Sequence, residues 1–375
     1  MAISLIYLNF RFLKEPSIYD RLNLVLPVDN YISYCKMYGH DGWHDSFYNR
    51  AGLNTLDWHD TVSTVMNYRV PEFDNSFDKS FAEVTDQRCM DLMAKRSDKP
   101  WAILWSGGID STVMVCSLLK NLTDSEKQSV TILCDINSIT ENPGFFQTQI
   151  RPNFRVDSFG KVLGYYDNHL VMGGEMGDCL FAHKHAGLLK RIGLADQPWK
   201  NHTDAMIEFI STTGNTTVDL ARWVWERLIP NVQSVDVPVE SCVDLLWWMM
   251  FNWHWIPTTM RFQRRTNLSM KVWKDRHVHW FDDTAYQQWA MHNNNTGEKN
   301  GPELWQQKIA AKSYIHALDQ DHYYFRHKLK VNSGGRKENR IKDWLGLDAD
   351  LVEYHARDLE NLRESIMAHR RPPGL

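Results

Sequence analysis

Hydrophobic and polar positions along the chain fall into a recognisable order of elements. The stretch from Phe81 to Arg96 reads as a helix, and Asp98-Lys99-Pro100 closes it. Trp101-Ala102-Ile103-Leu104-Trp105 follows, five apolar residues without alternation, as expected of a strand buried on both faces. After the turn Ser106-Gly107-Gly108, Val115, Leu118, Leu119 and Leu122 recur at i, i+3, i+4 and i+7. Ser117, Lys120, Asn121 and Asp124 repeat that spacing on the opposite face, so the segment predicts an amphipathic helix. Val130 to Cys134 predicts a second buried strand and His169 to Met172 a third. Strands alternating with helices at this spacing are the grammar of a parallel sheet with helical crossovers. From about Gly187 the pattern turns helical and rich in Trp and Met. Within it the apolar run from Cys242 to Ile256, despite Asp244, Asn252 and His254, reads as a buried helix too short to cross a bilayer. A polar loop at Val331 to Arg336 interrupts the helices, and the tail at His369 to Pro373 frays. The expected architecture is α/β: a parallel sheet with helices on both faces and a largely helical carboxyl-terminal half. Residues 1–95 form an accessory region, 96–345 the main domain, and 346–375 a closing helix and tail.

Composition narrows the class. The chain has 375 residues, 43% hydrophobic and 23% charged, enough for a large core and too ordered a mixture for a disordered scaffold. Forty-six acidic against 42 basic side chains give a net charge of -4, which supplies no general drive toward nucleic acid or an anionic membrane. The six cysteines, Cys35, Cys89, Cys116, Cys134, Cys179 and Cys242, form no CxxC and no zinc-ribbon spacing. Reduced thiols in a cytoplasmic protein are the expectation. The amino terminus lacks a basic region and a small-residue cleavage site, so no signal peptide is expected.

Chemistry is concentrated between the first strand and its helix, at Ser106-Gly107-Gly108-Ile109-Asp110-Ser111. Two glycines let the backbone turn tightly and approach a ligand. The serine hydroxyls and the positive end of the following helix add donors suited to phosphate oxygens. The position, at the carboxyl end of a strand, is where open parallel sheets bind ligands. A carboxylate at Asp110 repels bare phosphate, so a cation must lie between them, and magnesium is the natural choice. No GK[ST] follows, so this is not a Walker loop.

The segment resembles the pyrophosphate loop of the N-type ATP pyrophosphatases (adenine nucleotide alpha hydrolase-like, Rossmann-like), which cleave ATP between its α and β phosphates. The third strand runs into Gly173-Gly174-Glu175-Met176-Gly177-Asp178-Cys179-Leu180-Phe181, which resembles the SGEGxDELFGG segment of asparagine synthetases. Gly173 replaces the usual serine, Met176 a glycine and Cys179 a glutamate, and Ala182-His183 stands for the closing glycine pair. Near the carboxyl end, Ala311 to Ile315 and Tyr324 to Lys330 resemble the KxxLR and RxKxxF segments of the same synthetase domain. His279-Trp280-Phe281-Asp282 is similar to its RVPFLD segment but too degraded to assign roles. Glutaminase-bearing synthetases carry a cysteine directly after the initiator methionine. Ala2 stands there instead, and ammonia made from glutamine in cis is not expected.

The resemblance implies an ATP-dependent, AMP-forming amide ligase. Ser106, Gly107, Gly108 and Ser111 would cradle phosphates, with Gly173 and Gly174 near the adenylate. Asp110 and Asp178 would hold Mg2+. Lys328, with Lys330 as competitor and Lys312 from the first segment, would neutralise charge on the leaving group, and Glu175 would orient the nitrogen nucleophile or take its proton. The implied partners are a small carboxylate and ammonia or an amine, with a separate ammonia-supplying or substrate-carrying protein as an option. Alternatives are the same chemistry on a peptide or other macromolecular carboxylate, as in macrolactam closure, and a non-catalytic nucleotide-binding subunit. His183-Lys184-His185 and His277-Val278-His279 lack a third group at metal spacing and read as non-ligands.

Overall fold

The computed structural model describes residues 70–95, 99–181, 186–214, 217–253, 270–294 and 306–328, together with Trp255, Thr258, Leu268, Lys299 and Asn300. The accessory region up to residue 69, the pair His183 and His185, Lys330, the loop at 331–336 and the segment 346–375 lie outside the described residues. Two compact units emerge. Of the described residues, a sheet unit takes those within Thr85–Gly174, Arg276–Val278 and 311–328, and a helical unit those within 70–84, Glu175–Asp275 and His279–Ala310.

Helix α1 (Phe81–Ala94) leads into β1 (Trp101–Leu104), whose four side chains are all buried. The ladder runs one residue past the strand, because Trp105 N–H donates to the Leu133 carbonyl at 3.0 Å. α2 (Ile109–Asn121) buries an unbroken run from Ser111 to Leu118. The polar members of that run are satisfied internally: Ser117 Oγ donates to the Thr85 carbonyl at 3.0 Å, and Thr112 Oγ1 accepts from Trp105 Nε1 at 3.2 Å. β2 (Val130–Cys134) is wholly buried and parallel to β1, pairing Trp101 with Val130 and Leu104 with Leu133. Burial of Ile103, Ile132 and Leu133 at 0% exposure contributes about 1.5–3 kcal/mol each.

α3 (Ile136–Glu141) begins directly at the carboxyl end of β2, capped by Asp135, whose carboxylate accepts from Ser138 N–H at 2.8 Å. β3 (Arg155–Ser158) and α4 (Val162–Asn168) then lead to β4 (Leu170–Gly173), which pairs parallel with β1. With β5 (His277–His279) the strand order is β3-β2-β1-β4-β5 in one five-stranded parallel sheet. The sequence pattern predicts three of these strands. β3 escapes it because Arg155-Val156-Asp157-Ser158 sits at the sheet edge with three of its four residues exposed, and β5 because it is three residues long.

The helical unit contains α5 (Gly177–Phe181), α6 (Thr203–Gly214), α7 (Val218–Gln233), α8 (Cys242–Trp248) and α9 (Thr284–His292). Cys242 and Asp244–Asn252 are buried as expected, but α8 gives way to a π-helical turn over Met249–Trp253, and His254 and Ile256 lie outside the described residues. Its polar residues have structural work: Asp244 closes a capping box with Ser241, and buried Asn252 donates to Asn231 Oδ1 at 2.7 Å. Tryptophan fills the core here. Trp247 Nε1 donates to the Leu180 carbonyl at 3.0 Å, and Trp248 Nε1 to Asn231 Oδ1 at 3.0 Å. Back in the sheet unit, α10 (Ile309–Asp319) and α11 (His322–His327) end the described chain. Among the described residues no helix is long and apolar enough to cross a membrane.

Candidate functional site

In the strand order β3-β2-β1-β4-β5, the chain steps outward from β1 through β2 to β3, then returns to the other side of β1 with β4. The topological switch point therefore lies between the carboxyl ends of β1 and β4, the place where open parallel sheets take ligands. Both glycine-bearing motifs of the sheet unit occupy it. Ser106-Gly107-Gly108 follows β1, and Gly173-Gly174 closes β4.

Hydrogen bonds within the loop fix its shape. Ser106 N–H donates to Ser111 Oγ at 3.1 Å, and Ser111 Oγ donates to the Gly108 carbonyl at 3.1 Å. Gly108 N–H donates to Ser106 Oγ at 3.3 Å. Since each hydroxyl has one proton and that of Ser111 goes to Gly108, the 3.1 Å contact between the two hydroxyls uses the proton of Ser106. Ser111 is buried and ties the loop together, whereas Ser106 is exposed. The expectation that both hydroxyls face phosphate is thus divided: Ser111 shapes the loop, and Ser106 stands at its surface.

Gly107 adopts φ +74°, in the left-handed region, and packs on α3. A β-carbon there would lie 2.2 Å from the Ser138 carbonyl oxygen and 2.6 Å from Glu141 Cβ. Gly174 makes a close approach of its own. A β-carbon on it would come within 3.3 Å of Asp110 C and Ser111 N, the main chain of the first turn of α2. The end of β4 therefore closes on the helix N-terminus that follows the loop, where main-chain N–H groups lack intrahelical partners. Asp110 lies in that first turn, half-buried. Its carboxylate is a hard oxygen donor of the kind magnesium takes, and the glycine-lined cradle has the form that phosphate oxygens fill.

Lys328 caps α11, with its N–H donating to the Tyr324 carbonyl at 2.9 Å. Its ammonium donates to the Glu141 carbonyl at 3.1 Å and to Glu141 Oε1 at 2.6 Å, and both side chains are 4% exposed. The predicted phosphate lysine thus lies one side chain from the loop, since Glu141 is the residue against which Gly107 packs. Lys312 is buried on α10.

The remaining predicted residues belong to the helical unit. Asp178, in the first turn of α5, receives Lys308 Nζ at 2.5 Å, so its charge is met by an ammonium. Glu175 Oε2 lies 3.5 Å from His279 Nδ1, with side chains 15% and 4% exposed. The sequence spacing offers the histidine pair no third group, and the fold brings the Glu175 carboxylate to His279. His279 also receives Trp273 edge-on at 5.3 Å between ring centroids. His277 Nδ1 shares a 2.6 Å hydrogen bond with Tyr166 OH inside the sheet unit. Glu141, Lys308 and His279 are the residues that sequence reasoning missed as partners of the predicted site.

Compared with models of known families, with curated proteins and with solved structures, the chain matches none. Function is read from the loop and the residues packed on it.

Proposed function

We propose that the chain is an ATP-dependent, AMP-forming carbon–nitrogen ligase whose sheet unit is an ATP pyrophosphatase domain of the adenine nucleotide alpha hydrolase-like kind. In this reading the loop from Ser106 to Ser111 and the first turn of α2 bind the phosphates through main-chain N–H groups, and the exposed Ser106 hydroxyl turns its proton from Ser111 to the phosphate when ATP binds. Asp110 holds Mg2+, which supplies charge neutralisation on the pyrophosphate when bound. A substrate carboxylate attacks the α-phosphorus, pyrophosphate leaves, and ammonia or an amine displaces AMP to give the amide. Lys328 stabilises the charge that gathers on the leaving oxygens, where a compact ammonium acts most strongly in a dry site.

One observation carries the reading: Gly174, from the second glycine motif, packs within contact distance of the helix turn that follows the first, at the switch point of the sheet. The test is product analysis with purified full chain, Mg-ATP, a panel of carboxylates, and ammonium or amines. AMP and pyrophosphate are expected, and ADP with phosphate overturns the reading. The 2.5 Å pairing of Asp178 with Lys308 favours a second reading, a nucleotide-binding subunit without turnover. ATP binding without pyrophosphate release across the whole panel selects it.

A further inference from the structure

Glu141 takes no part in the resemblance described above, yet it joins the loop to Lys328. It is the last residue of α3, and two of its groups converge on one ammonium: the carbonyl at 3.1 Å and Oε1 at 2.6 Å from Lys328 Nζ. Tyr324 supports the same lysine, its ring centroid 5.7 Å from Nζ and its carbonyl receiving the Lys328 N–H. The other face of Glu141 is the floor of the loop, against which Gly107 packs without room for a β-carbon.

Stability gives no reason to place a charged pair there. Each buried ion sacrifices several kcal/mol of hydration, and apolar side chains of similar volume often serve as well or better. A Lys–Glu pair at 4% exposure beside a phosphate-type loop is accounted for when the ammonium must stay charged and fixed in position. We propose that Glu141 is a positioning residue: its carboxylate and carbonyl form a socket that holds the Lys328 ammonium at the loop, ready for the phosphates of ATP. This rests on the reading of the loop as an ATP site.

Mg-ATP titrations of the full chain by calorimetry test it, with thermal unfolding as a check on folding. A hydrogen bond to a charged group is worth about 1.5–3 kcal/mol, so Lys328→Ala and Glu141→Gln are each expected to weaken binding by about 10- to 100-fold. Combining them should add little, because the two residues act as one unit. Ethylammonium should restore binding to Lys328→Ala by occupying the socket, and should fail to do so when Glu141→Gln is added. A merely structural role for Glu141 predicts no such dependence. Wild-type affinity in Glu141→Gln, or ethylammonium rescue that persists in the double variant, overturns the assignment while leaving the ATP reading intact. If Glu141→Gln does not fold, Glu141→Asp shortens the reach by one methylene, and wild-type affinity in that variant overturns it as well. Absence of Mg-ATP binding by the wild type removes the ATP reading and this inference with it.

Discussion

Replacing Gly107 with alanine puts the packing of loop on helix to a quantitative test. The backbone there has φ +74°, and an L-residue forced into the left-handed region costs about 1–2 kcal/mol. The new methyl would also meet the Ser138 carbonyl oxygen at 2.2 Å and Glu141 Cβ at 2.6 Å, both closer than any ordinary carbon contact. The carbonyl belongs to the main chain of α3 and cannot rotate away, so the helix or the loop has to shift by about an ångström, at an overpacking cost of about 1–3 kcal/mol. Together the two effects predict about 2–5 kcal/mol of destabilisation.

Two other glycines calibrate that figure. Gly108 has φ -74°, and a β-carbon on it would meet only the Ser106 hydroxyl at 3.3 Å, so Gly108→Ala is expected to stay within about 0.5 kcal/mol of wild type. Gly164 lies within α4 with no atom within 4 Å of its virtual β-carbon, and Gly164→Ala should stabilise by about 0.5–1 kcal/mol through helix propensity. Urea unfolding of the three variants, with the slope held constant, gives the order directly. Mg-ATP affinity should fall in Gly107→Ala, since displacement of α3 carries Glu141 and Lys328 with it, and should stay at the wild-type value in Gly164→Ala, which lies outside the loop. A Gly107→Ala protein as stable as Gly108→Ala would mean that the loop does not rest on α3, and the geometry of the candidate site would fail with it.

Two further outcomes follow from buried titratable groups. Burial raises Asp319 to about 6 from an ordinary 3.8, against the lowering effect of the Asp321 N–H that it accepts at 3.0 Å. A raised carboxyl adds stability below about pH 4 that is lost as pH climbs through 6. Asp319→Asn is therefore expected to gain about 1 kcal/mol at pH 7.5 and nothing at pH 4, a value reduced from the roughly 3 kcal/mol of a two-unit shift because the group is partly solvated; a pH-independent effect in urea titrations would refute it. Burial also pushes the thiols of Cys89 and Cys134 up to about 12, and Cys116, Cys179 and Cys242 are buried as well. Iodoacetamide at pH 8 should modify these five only after denaturation, and rapid native labelling seen by peptide mass spectrometry would contradict their placement.

What could be read from the sequence was local. β1 and β2 announce themselves as unbroken apolar runs, α2 as a stripe of Val and Leu, and the loop as a glycine pair between them. Each signal spans a few residues and needs no distant partner to be recognised. β3 and β5 carry charges or histidines on short segments, and tertiary pairing at the sheet makes them strands. Partners of the predicted site residues were hidden for the same physical reason. Glu141 stands in Thr140-Glu141-Asn142-Pro143-Gly144, which reads as a solvated turn, and the lysine that makes its burial tolerable lies 187 residues further on. Asp178 and Lys308 are separated by 130 residues. A charged side chain is assigned to water by every local rule, because water is the cheapest place for it. Its removal from water can be justified only by an opposite charge, which need not be near in sequence. Pairs of that kind are where a fold departs from its own hydrophobic pattern, and at the loop after β1 the departure coincides with the chemistry proposed for the site.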